Sequence, residues 1–102
     1  MSSEADVQKR ILEYLRLRGF KVWRQNSGRG QNNIRLAPKG TSDIIGCLPG
    51  GRFIALEVKA PTGGRVSPAQ RSFIDSITEL GGLAGVVRSV ADVIALLGDI
   101  PA

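Results

Sequence analysis

Residues 40–61, GTSDIIGCLPGGRFIALEVKAP, constrain the fold of this chain more than any other stretch. Two apolar, β-rich runs, 43–48 and 52–59, flank a Pro49-Gly50-Gly51 turn, the sequence signal of a hairpin. With a three-residue loop centred on Gly50, paired residues have numbers summing to 100, so Leu48 faces Arg52 and Asp43 faces Glu57. Opposed side chains share one sheet face, about 4.5–5.5 Å apart at Cβ. The period-2 pleat puts Lys59 on that face as well. A two-residue loop would shift the pairing by one and break the alignment. Ile44, Ile45, Phe53, Ile54, Ala55, Leu56 and Val58 make both faces of the hairpin apolar, as expected of a central strand pair covered on both sides. Charges at the end of such strands are costly unless paired or bound to a metal. Two readings stay open: an ion pair from Lys59 to Glu57 or Asp43, and a divalent-cation site built on carboxylate and carbonyl oxygens.

Composition removes many alternatives. At 102 residues and 42% hydrophobic, the chain reads as one domain, 1–102, with a modest core. It has no apolar run of membrane-spanning length and no basic-plus-apolar leader, so the expectation is an intracellular, cytoplasmic protein with no membrane partner. The single Cys47 cannot form an internal disulfide. Histidine is absent, which excludes His-ligated zinc, His-dependent general-base chemistry and Ser-His-Asp hydrolysis. Carboxylate–metal chemistry assisted by lysine remains. The net charge of +5 is uneven: residues 1–40 carry +6 and residues 41–102 carry −1. A basic half points to a polyanionic partner, nucleic acid most often.

Along the chain, Ser2 or Ser3 caps a helix running to Arg18, with Gly19 as the stop. Val7, Ile11 and Leu15 form its buried stripe, and Glu4 and Gln8 share that phase and should point inward. Residues 20–25 read as a strand containing Val22 and Trp23. Residues 26–33 read as a loop, and 34–36 as a short strand candidate. With Arg24, Arg29 and Arg35 around it and Lys39 beyond, the loop could grip a phosphate backbone or simply connect. The glycines of residues 60–65 are not a P-loop, because no GxxxxGK[ST] pattern exists, so no nucleotide cofactor is expected. Ser67-Pro68-Ala69-Gln70 opens a second helix as a capping box, with Phe73, Ile74, Ile77 and Leu80 as its buried stripe. Gln70 is either the cap partner or a site residue, on the expectation that one side chain serves one such role well. Residues 83–88 form a last strand. Ser89 then caps a final helix burying Val90, Val93, Ile94 and Leu97, stopped by Gly98. The order suits a mixed central sheet flanked by helices.

Asp43 followed by Glu57-Val58-Lys59 resembles the bipartite D…ExK signature of the PD-(D/E)xK nuclease superfamily, with Ser42 where that name has a proline. The wider pattern resembles the VRR-NUC family, the virus-type replication-repair nucleases, across nearly the whole chain. It comprises Glu4 opening the first helix, 22–28 (VWRQNSG), Gly40-Thr41-Ser42-Asp43, Glu57-Val58-Lys59, Ser67-Pro68-Ala69-Gln70 and Gly85-Val86-Val87-Arg88-Ser89. The resemblance implies a restriction-endonuclease-like αβββαβ core and a metal-dependent DNA endonuclease. It implies Mg²⁺ or Mn²⁺ held by Asp43, Glu57 and the Val58 backbone carbonyl, with Lys59 assisting, Gln70 nearby and Glu4 supporting a second metal or its waters. Short members of this kind are associated with branched DNA, including four-way (Holliday) junctions, in repair and recombination. That association implies a homodimer making paired cuts, and it admits a virus-encoded protein. The rival expectations are a non-catalytic DNA-binding or accessory module on the same fold, and a flap or single-strand nicking nuclease. Leu17, Trp23 and Leu96, apolar beyond the core stripes, offer modest support for self-association.

Overall fold

The computed structural model describes residues 3–25 and 37–101. Their order is α1 (Glu4–Leu17), β1 (Lys21–Arg24), β2 (Ile44–Cys47), β3 (Phe53–Val58), α2 (Pro68–Glu79), β4 (Leu83–Val87) and α3 (Val90–Leu97). The strands form one mixed sheet in the order β1-β2-β3-β4, antiparallel except for the parallel β3–β4 pair. This is the expected mixed α/β architecture with flanking helices. The expected loop over 26–33 and strand at 34–36, with Arg29 and Arg35, lie outside the described residues.

The hairpin has the anticipated register. Ile44 pairs with Leu56, Ile45 with Ala55, Gly46 with Ile54 and Cys47 with Phe53. The Leu48 N–H closes the loop on the Arg52 carbonyl at 2.7 Å. Pro49 precedes Gly50 at φ 83°, ψ 2°, the order that a type II turn requires at its central positions. A glycine is also needed inside β2. A Cβ at Gly46 would lie 2.1 Å from the Lys21 carbonyl oxygen, so only glycine lets β1 approach so closely.

Residue parity along β3 divides the molecule into layers. Ile54, Leu56 and Val58 join Ile44, Leu48 and Val87 in a core closed by Val7, Ile11 and Leu15 of α1 and Val93 and Leu97 of α3. The other face, carrying Ala55 and Glu57, is covered by α2. Both longer helices begin at reciprocal capping boxes, Ser3–Asp6 for α1 and Ser67–Gln70 for α2. The apolar stripes are narrower than the sequence periodicity implies. In α2 only Ile74 is buried, Phe73 and Ile77 are half-buried, and Leu80 is 86% exposed because the helix ends there and its last turn overhangs the sheet. In α3, Ile94 is exposed, while Leu96 packs over Gly85 and is therefore not surplus surface.

Candidate functional site

The site forms where β2 and β3 end. Leu48–Arg52 is a hydrogen-bonded pair, so the alternation of an antiparallel ladder makes 43 and 57 a non-hydrogen-bonded pair, the closer kind. Asp43 is pinned twice. Its carbonyl accepts from the Gln25 N–H at 2.7 Å, and its Oδ2 accepts from the Val58 N–H at 2.8 Å. The carboxylate thus takes the donor that a continuing β2 strand would have used. The ladder stops, and the acid is held against β3.

Glu57 sits beside it, 2% exposed. Its Oε2 accepts from Gln70 Nε2 at 3.0 Å and lies 3.7 Å from Lys59 Nζ. Its Oε1 is buried with no hydrogen-bond partner among the described residues. The Glu57 carboxyl is pushed up to about 8: desolvation is the largest cause, Asp43 adds to it by favouring the protonated form and by its charge, Lys59 opposes, and Glu4 adds a smaller repulsion. Glu4 comes from the first turn of α1, on the core side, and reaches over the strand ends. Oxygens of Glu4, Asp43 and Glu57 all lie within 4.8 Å of one another. The inward phase expected of Glu4 is corrected in one respect: it is exposed, because it opens its helix beyond the edge of the core, and Gln8 is half-buried.

Gln70 shows why the choice between cap and site was a false one. Its Oε1 accepts from the Ser67 N–H at 2.8 Å while its Nε2 donates to Glu57. A primary amide has an acceptor end and a donor end, so one side chain closes the capping box and reaches the acid. Its backbone N–H is held in turn by Ser67 Oγ at 3.1 Å. Lys59 extends the sheet by one bond, its N–H donating to the Val87 carbonyl at 3.0 Å. Arg24 ends β1 and is exposed, as is Lys39, in the turn that precedes Gly40.

Two residues that enter the sequence pattern only as neighbours of Asp43 have a packing role in the structure. Gly40, at φ 85°, backs onto the start of α2, where a Cβ would meet the Ala69 carbonyl oxygen at 2.2 Å and the Gln70 nitrogen at 2.9 Å. Ser42 is completely buried, its Oγ without a hydrogen-bond partner among the described residues, directly before Asp43. The available signal was the glycine three residues before the acid, in a turn that must pass close to another element.

Three neighbouring carboxylates, one of them with a buried unpartnered oxygen, form a hard-oxygen donor set of the kind that fits a divalent cation. Comparison with known proteins gives a fold and a family. No curated protein matches the chain. A solved structure described as a VRR_NUC domain protein aligns with a TM-score of 0.63 and 18% identity, over 97% of this chain and 88% of that one, a likeness of fold. The VRR-NUC domain profile matches residues 3–91. Over that span the D…ExK residues stand at adjacent strand ends and the glutamine faces them from the next helix, and the chain belongs to the VRR-NUC domain family of nucleases.

Proposed function

We propose that this chain is a single-domain Mg²⁺- or Mn²⁺-dependent DNA endonuclease that hydrolyses phosphodiester bonds in branched DNA, such as four-way junctions, and works as a homodimer. The observation that carries the metal assignment is the convergence of Glu4, Asp43 and Glu57, with Glu57 Oε1 buried and unpartnered. A desolvated carboxylate facing two others is unfavourable by itself and becomes favourable opposite a cation. Asp43, Glu57 and the Val58 carbonyl would hold the ion, with Glu4 at the exposed rim. The chemistry that such an ion supplies is polarisation of the scissile phosphate and acidification of a water.

The remaining work falls to the protein. The Val58 N–H fixes the Asp43 carboxylate, and Gln70 fixes Glu57 through Oε2, leaving Oε1 for the ion. Lys59, 12% exposed and 3.7 Å from Glu57, orients the attacking water or offsets the charge that develops on the phosphate. Arg24 and Lys39, with Arg29 and Arg35, contact the DNA backbone. Such contacts position the duplex without reading its sequence. Branched-DNA selectivity and dimerisation rest on family analogy, and on the need for two coordinated cuts at a symmetric junction.

The test is cleavage of linear, flapped and four-way DNA with and without Mg²⁺ or Mn²⁺. Metal-dependent cutting of four-way DNA is expected. Asp43→Ala or Glu57→Ala should lower it at least about a hundredfold while the fold persists, and Lys59→Ala should keep Mn²⁺ binding but lose rate. Near-normal cleavage by either acidic variant overturns the metal site. DNA binding without any cutting favours the non-catalytic module, and cutting confined to flaps or single strands favours the nicking nuclease.

A further inference from the structure

Arg88 directly follows β4. The parallel register pairs Val58 with Val87, so one further step sets Arg88 beside Lys59 on the face that carries Glu57. Yet its guanidinium is directed at three backbone carbonyls of the loop that leaves Lys59. Nη1 donates to Ala60 O at 2.8 Å and to Gly63 O, and Nη2 donates to Gly64 O at 3.4 Å. A planar fork with five donors suits that task and an ammonium does not. The loop needs such a hold, because Gly63 and Gly64 both have positive φ, 78° and 74°, and consecutive glycines leave a chain conformationally loose.

The gripped loop lies on the lysine. A Cβ at Gly64 would be in ordinary van der Waals contact with Lys59, 3.5 Å from its Cδ and 3.9 Å from its Cβ, so the Gly64 backbone stands about a methyl group away and walls the space beside the aliphatic stem. Arg88 is itself fixed from behind. Its backbone N–H donates to Asp92 Oδ2 at 2.8 Å, and the Asp92 N–H donates to Ser89 Oγ at 3.0 Å in the first turn of α3. We propose that Arg88 is a positioning residue: by clamping residues 60–64 against the Lys59 stem, it holds the lysine ammonium at the Glu57 end of the acidic cluster. A four-carbon side chain without that wall has many rotamers, few of which place Nζ at the site. The consequence for cleavage rests on the proposed nuclease function, whereas the clamp itself does not.

The test uses the full chain with Arg88→Met, Arg88→Lys, Lys59→Ala and the Lys59→Ala/Arg88→Met double variant. Arg88→Met should lower kcat on four-way DNA about ten- to hundredfold, as expected of a misplaced catalytic group, with KM for DNA and Mn²⁺ affinity unchanged. In the Lys59→Ala background it should cost no more than about twofold, since residues acting as a unit are non-additive. Independently of activity, Arg88→Met should lose the NOEs between Lys59 Hδ and Gly64 Hα and speed amide exchange across residues 60–66. If Arg88→Met does not fold, Arg88→Lys, which keeps charge and stem, carries the same measurements. Intact NOEs with unchanged loop exchange overturn the clamp, and additive losses overturn its action through Lys59. If the wild-type protein cuts no DNA in Mg²⁺ or Mn²⁺, the nuclease reading fails, and the NOEs and exchange still decide the clamp.

Discussion

At the scale of single residues, Glu57 carries the largest conflict. It is buried beside another acid, and its carboxyl is pushed up to about 8, chiefly by desolvation, against about 4.5 for an ordinary glutamate. Between those two values the folded, metal-free chain holds a proton that the unfolded chain has lost. Stability is therefore greatest below pH 4.5 as far as this group is concerned, and it falls as pH rises through the folded value, by at most about 1.4 kcal/mol per pH unit. Thermal unfolding of the metal-free protein at pH 5, 6.5 and 8 should show a falling Tm. Glu57→Gln should flatten that decline, and Mg²⁺ or Mn²⁺ should restore Tm most at pH 8, where the carboxylate is ionised. A wild-type Tm that rises across this range would mean that Glu57 titrates as an ordinary surface acid. The pairing of Asp43 with Glu57 was legible in the sequence because a Pro-Gly-Gly turn fixes register, and register fixes which side chains oppose. The geometry of Gln70 was not legible, since whether its Nε2 reaches an acid on another strand depends on how α2 lies across the sheet.

At the scale of elements, the site is an assembly of ends: the C-terminal ends of β1 and β3, the approach to β2, and the first turns of α1 and α2. The apolar periodicity identified each element but overestimated how much of α2 and α3 is covered. Leu80 stands at the C-cap of α2, past the covered part of the helix, and Ile94, in the middle of α3, turns away from the side that buries Val93 and Leu97. Long-range approaches left fainter traces. Gly40 in the sequence looks like an ordinary turn glycine. In the structure it combines positive φ with the tightest approach to α2, holding the first turn of that helix against the segment that leads to Asp43. Gly40→Ala should therefore displace α2 as well as strain the turn. The expected cost is about 1–3 kcal/mol in urea unfolding, together with loss of the Gln70–Glu57 hydrogen bond, read from the Gln70 side-chain amide resonances. Gly50→Ala is the control: it sits at nearly the same positive φ but in open space at the opposite end of the hairpin, so it should carry only the backbone strain, about 1–2 kcal/mol, and leave Gln70 undisturbed. Equal disturbance of the Gln70 amide by both substitutions would reduce Gly40 to a turn residue.

At the scale of the whole molecule, the described residues contain one acidic cluster, so under the proposed function each chain offers one cutting site. Cutting both strands of a symmetric junction in one encounter takes two clusters facing opposite strands, which a two-fold pair of chains provides. A candidate contact surface is the corner between α1 and β1. Leu17 is 88% exposed at the end of α1, and Trp23 is 44% exposed on β1, which is an edge of the described sheet. Between them runs an open groove lined by Arg16, Phe20, Lys21 and Trp23, with Phe20 itself buried. An edge strand beside exposed aromatic and aliphatic side chains is a surface that proteins ordinarily protect or pair. Sedimentation at micromolar protein should give a dimer, and Leu17→Glu with Trp23→Glu should shift it to a folded monomer, because neither side chain belongs to the core, with Tm lowered only by the lost association. The monomeric variant should still nick four-way DNA in Mg²⁺ but should accumulate nicked junctions before the second cut, whereas the wild-type dimer should release paired products with little nicked intermediate. A wild-type monomer that resolves junctions at full rate would remove both the dimer and the paired cut, leaving a flap or single-strand nicking nuclease. A dimer unaffected by both substitutions would move the interface away from this corner while keeping the two-site mechanism.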